Sequence, residues 1–133
     1  MVQAYSENIT VNTGGVIPFN NVVIEKGSTA TMVNNSTQLN AKGVYEVKFN
    51  ASFTPAEAGD IIVQLYINGL PYAPAKTTVS ATVGNSFSIP FQTLVPVSHN
   101  TTPCCCSLPD VLTVVCTGVG VTGSANIVVT KIC

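Results

Sequence analysis

The sequence contains no arginine and no tryptophan, and only 8% of its 133 residues are charged. An average soluble domain carries about 25% Asp, Glu, Lys and Arg. With a net charge of -1, the chain lacks both the basic patch that binds phosphate backbones and the guanidinium groups that read base edges. We therefore expect no nucleic-acid partner.

The sequence also shows no pattern typical of a targeting segment. The start, "MVQAYSENITVNTGG", has no basic stretch followed by an apolar run, so we expect no signal peptide. No run of about 18 apolar residues occurs, and we expect no membrane insertion. Five N-x-S/T triplets are interpreted as by-products of an Asn- and Thr-rich composition: Asn8, Asn34, Asn35, Asn50 and Asn100.

Groups that could carry catalysis are scarce. The single histidine, His99, lies in the predicted loop "VSHNTTP", and a nucleophilic pair of His99 with a cysteine at 104–106 has no third group to orient it. Glu57 and Asp60 share the loop "TPAEAGD", but a calcium ion needs six or more oxygens. We expect two solvated acids, no catalytic residues, no metal site and no cofactor.

The apolar fraction of the chain is high for so few charges. Hydrophobic residues make up 46% of the sequence, so a lone domain would expose uncharged and partly apolar surface to water. Such surfaces favour association, and we expect the chain to assemble with itself. A neutral monomer covered by Ser, Thr and Asn is the alternative.

One long segment has the period-two pattern of a half-buried strand. In "GVYEVKFNASF", Tyr45, Val47, Phe49 and Phe53 fall on one face, and polar residues fall on the other. We predict that these four residues pack in the core or in a subunit interface, rather than form a ligand platform.

A second strand, in "DIIVQLYINGLPY", carries apolar residues on both faces, which predicts cover on both sides. Asn68-Gly69 then predicts a tight turn. Further predicted strands are "GVIPFNNVVIE", "STATMVN", "TTVSATV", "SFSIPFQTLVPV", "VLTVVCTG" and "ANIVVTKI". Prolines cannot donate to a ladder, so Pro18, Pro90 and Pro96 are placed at edges or bulges. Gly118, Gly120 and Gly123 precede no lysine or helix and indicate a hairpin.

The strand pattern predicts an all-β antiparallel sandwich. Gly43-x-Tyr45 opening an aromatic strand, then "TPAEAGD" and "LYING", resembles complement globular-head domains and the wider tumour-necrosis-factor-like jelly rolls, and "GGVIPFN" resembles the start of bacterial and phage members. The resemblance covers roughly residues 14–132. It implies a jelly roll of about eight to ten strands that forms compact homotrimers, often on a stalk or fibre. Residues 1–13 then form an N-terminal strand or extension, and residues 14–133 a single jelly-roll domain.

The five cysteines are Cys104, Cys105, Cys106, Cys116 and Cys133. Adjacent cysteines rarely bond to each other, because a disulfide needs Cα atoms about 5.5 Å apart. Five is odd, so at least one thiol stays free or reaches another subunit. A soft-metal site and inert reduced thiols are alternatives. The preferred hypothesis is that residues 104–106 and Cys133 form disulfides between subunits in oxidising surroundings.

Two functions fit these observations. The first is a non-enzymatic structural subunit of an extracellular assembly, such as a spore-surface layer or appendage, or a phage virion fibre or decoration. The alternative is a recognition module whose loops bind a surface carbohydrate or receptor. The absence of tryptophan and the predominance of Asn, Thr, Ser, Gly and Pro in the predicted loops favour the structural subunit.

Overall fold

The computed structural model describes residues 1–27, 29–97 and 110–133. These residues form eleven strands and no helix. The strands are β1 (Val2–Val11), β2 (Gly15–Val16), β3 (Asn21–Glu25), β4 (Ala30–Val33), β5 (Ser36–Leu39), β6 (Gly43–Pro55), β7 (Gly59–Ile67), β8 (Leu70–Ala81), β9 (Phe87–Val97), β10 (Asp110–Gly118) and β11 (Val121–Lys131).

The strands make two antiparallel sheets. The first sheet has the order β3-β1-β11-β6-β9, and the second has the order β4-β5-β10-β7-β8, with β2 also paired to β10. Sequence neighbours repeatedly lie in different sheets, as in a jelly roll. The predicted fold class is therefore confirmed. Most of the predicted N-terminal strand or extension forms β1, which lies between β3 and β11.

The core lies between the sheets and is built by alternation. In β6, Tyr45, Val47, Phe49 and Phe53 all point inward and are buried, the most exposed being Phe49 at 3%. The Phe49 ring stacks on the ring of Phe91, with centroids 5.0 Å apart. The structure thus places all four of these predicted packing residues inside the subunit.

The strand β7 has one face in this core and one face outside it. Ile61, Val63 and Leu65 are fully buried, whereas Ile62 and Tyr66 point outward and are half-buried. No strand of the described chain lies over that outward side. The predicted cover on both sides is therefore not supplied by the described strands.

Prolines lie where the sheets end. Pro90 and Pro96 belong to β9, which is the edge strand of the first sheet, so their predicted edge positions are confirmed. Side chains of the neighbouring edge strand β8 approach β9: Thr77 Oγ1 donates to the Pro90 carbonyl at 2.7 Å, and Tyr72 Oη donates to the Leu94 carbonyl at 2.8 Å. These contacts occupy carbonyls that an incoming strand would need.

Candidate functional site

The outward side of the first sheet is a broad, regular surface built by several adjacent strands. We call it the open face. Its side chains come from alternate positions of β1, β11, β6 and β9: Gln3, Tyr5, Thr130, Val128, Asn126, Ser124, Glu46, Lys48, Asn50, Ser52, Leu94, Gln92, Pro90 and Ser88.

Small polar side chains occupy the centre of the open face in two rows. The strand register places Tyr5 beside Asn126 and Asn126 beside Asn50. In the next row, Ser52 lies between Ser124 and Ser88. These Asn and Ser side chains lose less rotamer entropy on burial than Lys or Glu would, so another surface can cover them at a low entropic cost.

A bulge in β1 opens a shallow groove in this centre. The register shifts between Ser6 and Ile9, and Asn8 adopts a left-handed backbone with φ of 53°. The groove has a volume of about 290 Å³ and includes Tyr5, Glu7, Asn50, Ser52, Ser124 and Asn126 in its lining. Amide, hydroxyl and carboxylate groups beside a tyrosine ring can bind polar ligands or the backbone of another chain.

A charge pair lies at one end of the open face. Lys48 Nζ lies 3.4 Å from Glu46 Oε1, and Gln92 Nε2 donates to Glu46 Oε2 at 3.3 Å. Beside them, Leu94 on β9 is 50% exposed. This end therefore combines a neutralised charge pair with an exposed apolar side chain at the sheet edge.

The acids and the histidine that the sequence offers for catalysis or metal binding are Glu57, Asp60 and His99. Among residues 1–27, 29–97 and 110–133, no three His, Cys, Asp or Glu side chains are grouped as metal ligands. Asp60 accepts a hydrogen bond from Ser80 Oγ at 3.2 Å, and Glu57 lies exposed in the preceding bend. His99 lies outside the described residues.

Two of the five cysteines are described, and they differ in environment. Cys116 is fully buried and unpaired, with its Sγ 3.8 Å from the Val119 carbonyl oxygen. Burial raises the pKa of the Cys116 thiol, which lowers its reactivity. Within the described part of the chain, Cys133 is exposed and has no disulfide partner. Cys104, Cys105 and Cys106 lie outside the described residues.

Backbone pairing fixes the position of Cys133. The Val44 N–H donates to the Cys133 carbonyl at 3.0 Å, and the Ile132 N–H donates to the Val44 carbonyl at 2.8 Å. Gly43, next to Val44, pairs with Val97 of β9. The exposed Cys133 is therefore held at the end of the first sheet where Val97 of β9 lies.

The sequence did not indicate the rows of the open face. From the sequence alone, the alternation predicts only that Glu46, Lys48, Asn50 and Ser52 form the polar side of a single strand. Their meeting with Ser124 and Asn126 depends on the register between β6 and β11, which is set by contacts far apart in sequence. The sequence offers one signal for this surface, which is that β6 and β11 both carry polar residues at alternate positions.

Comparisons with known proteins show the fold. No protein-family model and no curated protein matches the sequence. Among solved structures, the chain is similar to the globular domain of zebrafish complement 1qA (TM-score 0.67, 11% identity, 96% of this chain and 94% of that chain). It is also similar to PRD1 vertex protein P5 (TM-score 0.63, 11% identity, 99% and 96%) and to Eiger TNF from S. frugiperda (TM-score 0.68, 12% identity, 99% and 92%).

These similarities confirm the predicted resemblance to complement and tumour-necrosis-factor-like jelly rolls at the level of fold. The described residues include no helix of the length and hydropathy needed to cross a bilayer.

Proposed function

We propose that this chain is a non-enzymatic structural subunit that associates with itself as a homotrimer in an extracellular or virion assembly. A spore-surface layer or appendage and a phage fibre or decoration are the settings that we favour. The observation that carries the proposal is the open face, a broad sheet surface with rows of small uncharged Asn and Ser side chains at its centre and an exposed leucine at its edge. The likeness in fold to a phage vertex protein supports the virion setting.

The arrangement of the open face fits a ring of subunits. Leu94 lies at the β9 edge, and the uncharged Ser and Asn rows lie towards the middle of the same sheet. An edge that packs on the centre of a neighbouring copy makes a head-to-tail contact, which closes into a ring when the rotation between copies allows it. We propose that this ring contains three copies.

Backbone chemistry at the β9 edge favours contact through side chains. Pro90 and Pro96 have no N–H to donate, and the carbonyls of Pro90 and Leu94 already accept hydrogen bonds from β8 side chains. An open fibre built by strand addition at this edge is therefore disfavoured. The same edge can still contact a neighbouring copy through its side chains, as a compact ring requires.

The test is the mass of the protein in solution, measured by size-exclusion chromatography with light scattering at micromolar concentration. We expect a trimer for the natural sequence and a monomer for Leu94→Asp, because a buried charge at the contact costs several kcal/mol. Val83→Asp is the matched control, since Val83 is 61% exposed in the turn after β8 and lies off the open face. A stable monomer of the natural sequence would contradict the proposal.

The groove at the β1 bulge supports a second candidate function. Tyr5, Glu7, Asn50 and Asn126 combine a ring with carboxylate and amide groups, a set suited to sugar hydroxyls. The chain would then recognise a surface glycan or receptor. Glycan-array binding that Asn50→Ala or Tyr5→Ala abolishes, with a monomeric natural protein, would favour this function over the structural one.

A further inference from the structure

The second sheet also has an outward side, which we call the outer face. β7 contributes Ile62, Gln64 and Tyr66, and β10 contributes Val115, which pairs with Gln64. Val16 of β2 pairs with Val115 and is 43% exposed. No described strand lies over these apolar side chains. They include the outward side of β7, the strand that the sequence predicts to be covered on both sides.

Two opposite charges flank the part of the outer face between β7 and β8. The register pairs Asp60 with Ser80, Ile62 with Thr78 and Gln64 with Lys76. Asp60 and Lys76 therefore lie one row on either side of the Ile62–Thr78 row, and each row is about 7 Å from the next. Ser80 Oγ donates to Asp60 Oδ1 at 3.2 Å, which confirms that both side chains are on this face.

This spacing makes the outer face complementary to itself. Consider two copies packed face to face about a two-fold axis that runs across the strands through the Ile62–Thr78 row. The axis reverses the strand direction, so Lys76 of one copy lies over Ser80 of the other, beside Asp60. The same contact occurs twice by symmetry. Packed sheets are about 10 Å apart, a gap that a lysine and an aspartate can bridge.

We propose that the outer face of the second sheet is a two-fold contact between two copies of this chain. Ile62 lies at its centre, and two symmetric Lys76–Asp60 pairs fix its register. This contact uses a different sheet from the proposed trimer contact. If the proposed trimer forms, the two-fold contact links trimers to one another, and to that extent it rests on the proposed function. If no trimer forms, the same contact pairs single chains.

A second copy suits this face better than another partner because the pattern needs no outside charge. One positive and one negative side chain stand at equal distances from a neutral centre. A different protein would have to supply both opposite charges at the same spacing. The apolar and β-branched side chains between them give the dry centre that a symmetric interface requires.

The test uses charge variants alone and mixed, with masses measured by sedimentation velocity over a range of concentrations. Asp60→Lys makes both flanking positions positive, and Lys76→Glu makes both negative. We expect each variant alone to pair at least about tenfold more weakly than the natural chain, because like charges face each other. An equimolar mixture should pair again, and so should the double variant carrying both changes.

Two further variants complete the experiment. Glu25→Lys changes the charge by the same amount as Asp60→Lys on β3 of the other sheet, and we expect it to leave pairing unchanged. Ile62→Asp should abolish pairing in every combination. The two-fold contact is wrong if the natural chain shows no association beyond a trimer or monomer, if the variants alone match it, or if their mixture behaves as its components.

The readout also separates this contact from the trimer. If both proposals hold, the natural chain forms hexamers or larger assemblies, and Asp60→Lys leaves trimers. If only the two-fold contact holds, the natural chain forms dimers, and the single charge variants are monomers. If another molecule occupies the outer face, the natural chain alone does not pair through it, which overturns the inference.

Discussion

At the scale of single residues, Asn68 connects the turn after β7 to the start of β10. Its N–H donates to the Val111 carbonyl at 2.8 Å. Its φ of 53° turns its own carbonyl away from the position it would have in an extended strand, and the side-chain Oδ1 accepts the Val111 N–H at 2.9 Å instead. Its Nδ2 donates to Asp110 Oδ1 at 3.0 Å. The amide thus continues the ladder by one pair after the backbone has turned.

Replacing this amide by a carboxylate tests that role. Asn68→Asp keeps an acceptor for Val111 but loses the donor to Asp110 and places two negative charges together. We expect a loss of about 1–3 kcal/mol at pH 7 in urea-induced unfolding. The loss should shrink when salt is added, because salt screens the repulsion between exposed charges. Asn68→Gly, which keeps the turn without the side chain, is the control and should show a loss that does not depend on salt.

At the scale of elements, the pairing of β11 with β6 depends on one glycine. Gly123 lies opposite Ile9 at the β1 bulge and has a φ of 150°. A Cβ at this position would collide with the carbonyl oxygen of Ser52 on β6. The close approach of these strands therefore requires a residue without a side chain.

Gly123→Ala should consequently destabilise the fold by more than about 2 kcal/mol, measured as the free energy of unfolding in urea. The control is Gly84→Ala, because Gly84 also has a positive φ, of 89°, but has open space around its Cβ position. That change should cost about 1–2 kcal/mol from the backbone conformation alone. Equal losses in the two variants would mean that the approach of Gly123 to Ser52 has no special importance.

Elements whose signals are local could be predicted from the sequence. The alternation in β6, the Asn68-Gly69 turn and the edge positions of Pro90 and Pro96 all agree with the structure. Each of these depends on the preferences of a few neighbouring residues, such as proline's missing donor or the ease with which Asn and Gly adopt positive φ.

Elements that depend on distant contacts could not be predicted. The segment "GVIPFNNVVIE" was predicted as one strand, but it forms β2 in the second sheet and β3 in the first. Between them, Ile17 and Phe19 are both buried and Pro18 cannot donate, so the chain crosses the edge of the sandwich there. The rows of the open face were missed for a related reason, because register is decided by which strands meet.

At the scale of the whole molecule, surface charge and thiols bear on assembly together. With 8% charged residues, like-charge repulsion between copies is weak, so apolar contacts can bring the copies together without strong steering. Once the copies are together, exposed thiols on adjacent copies can be joined. Cys133 is exposed at one end of the first sheet, whereas Cys116 is enclosed in the core of its own subunit.

We therefore propose that Cys133 and the cysteines at 104–106, which lie outside the described residues, cross-link assembled subunits in oxidising surroundings. Protein oxidised after assembly should run as covalent dimers or larger species on denaturing gels without reductant, and as a monomer with reductant. Cys133→Ser should reduce these species, and changing Cys104, Cys105 and Cys106 to Ser as well should remove them. Cys116→Ala is the matched control and should leave the covalent species on the gel unchanged, because a buried thiol cannot reach a second copy. A wholly monomeric oxidised sample would show that the thiols do not join subunits.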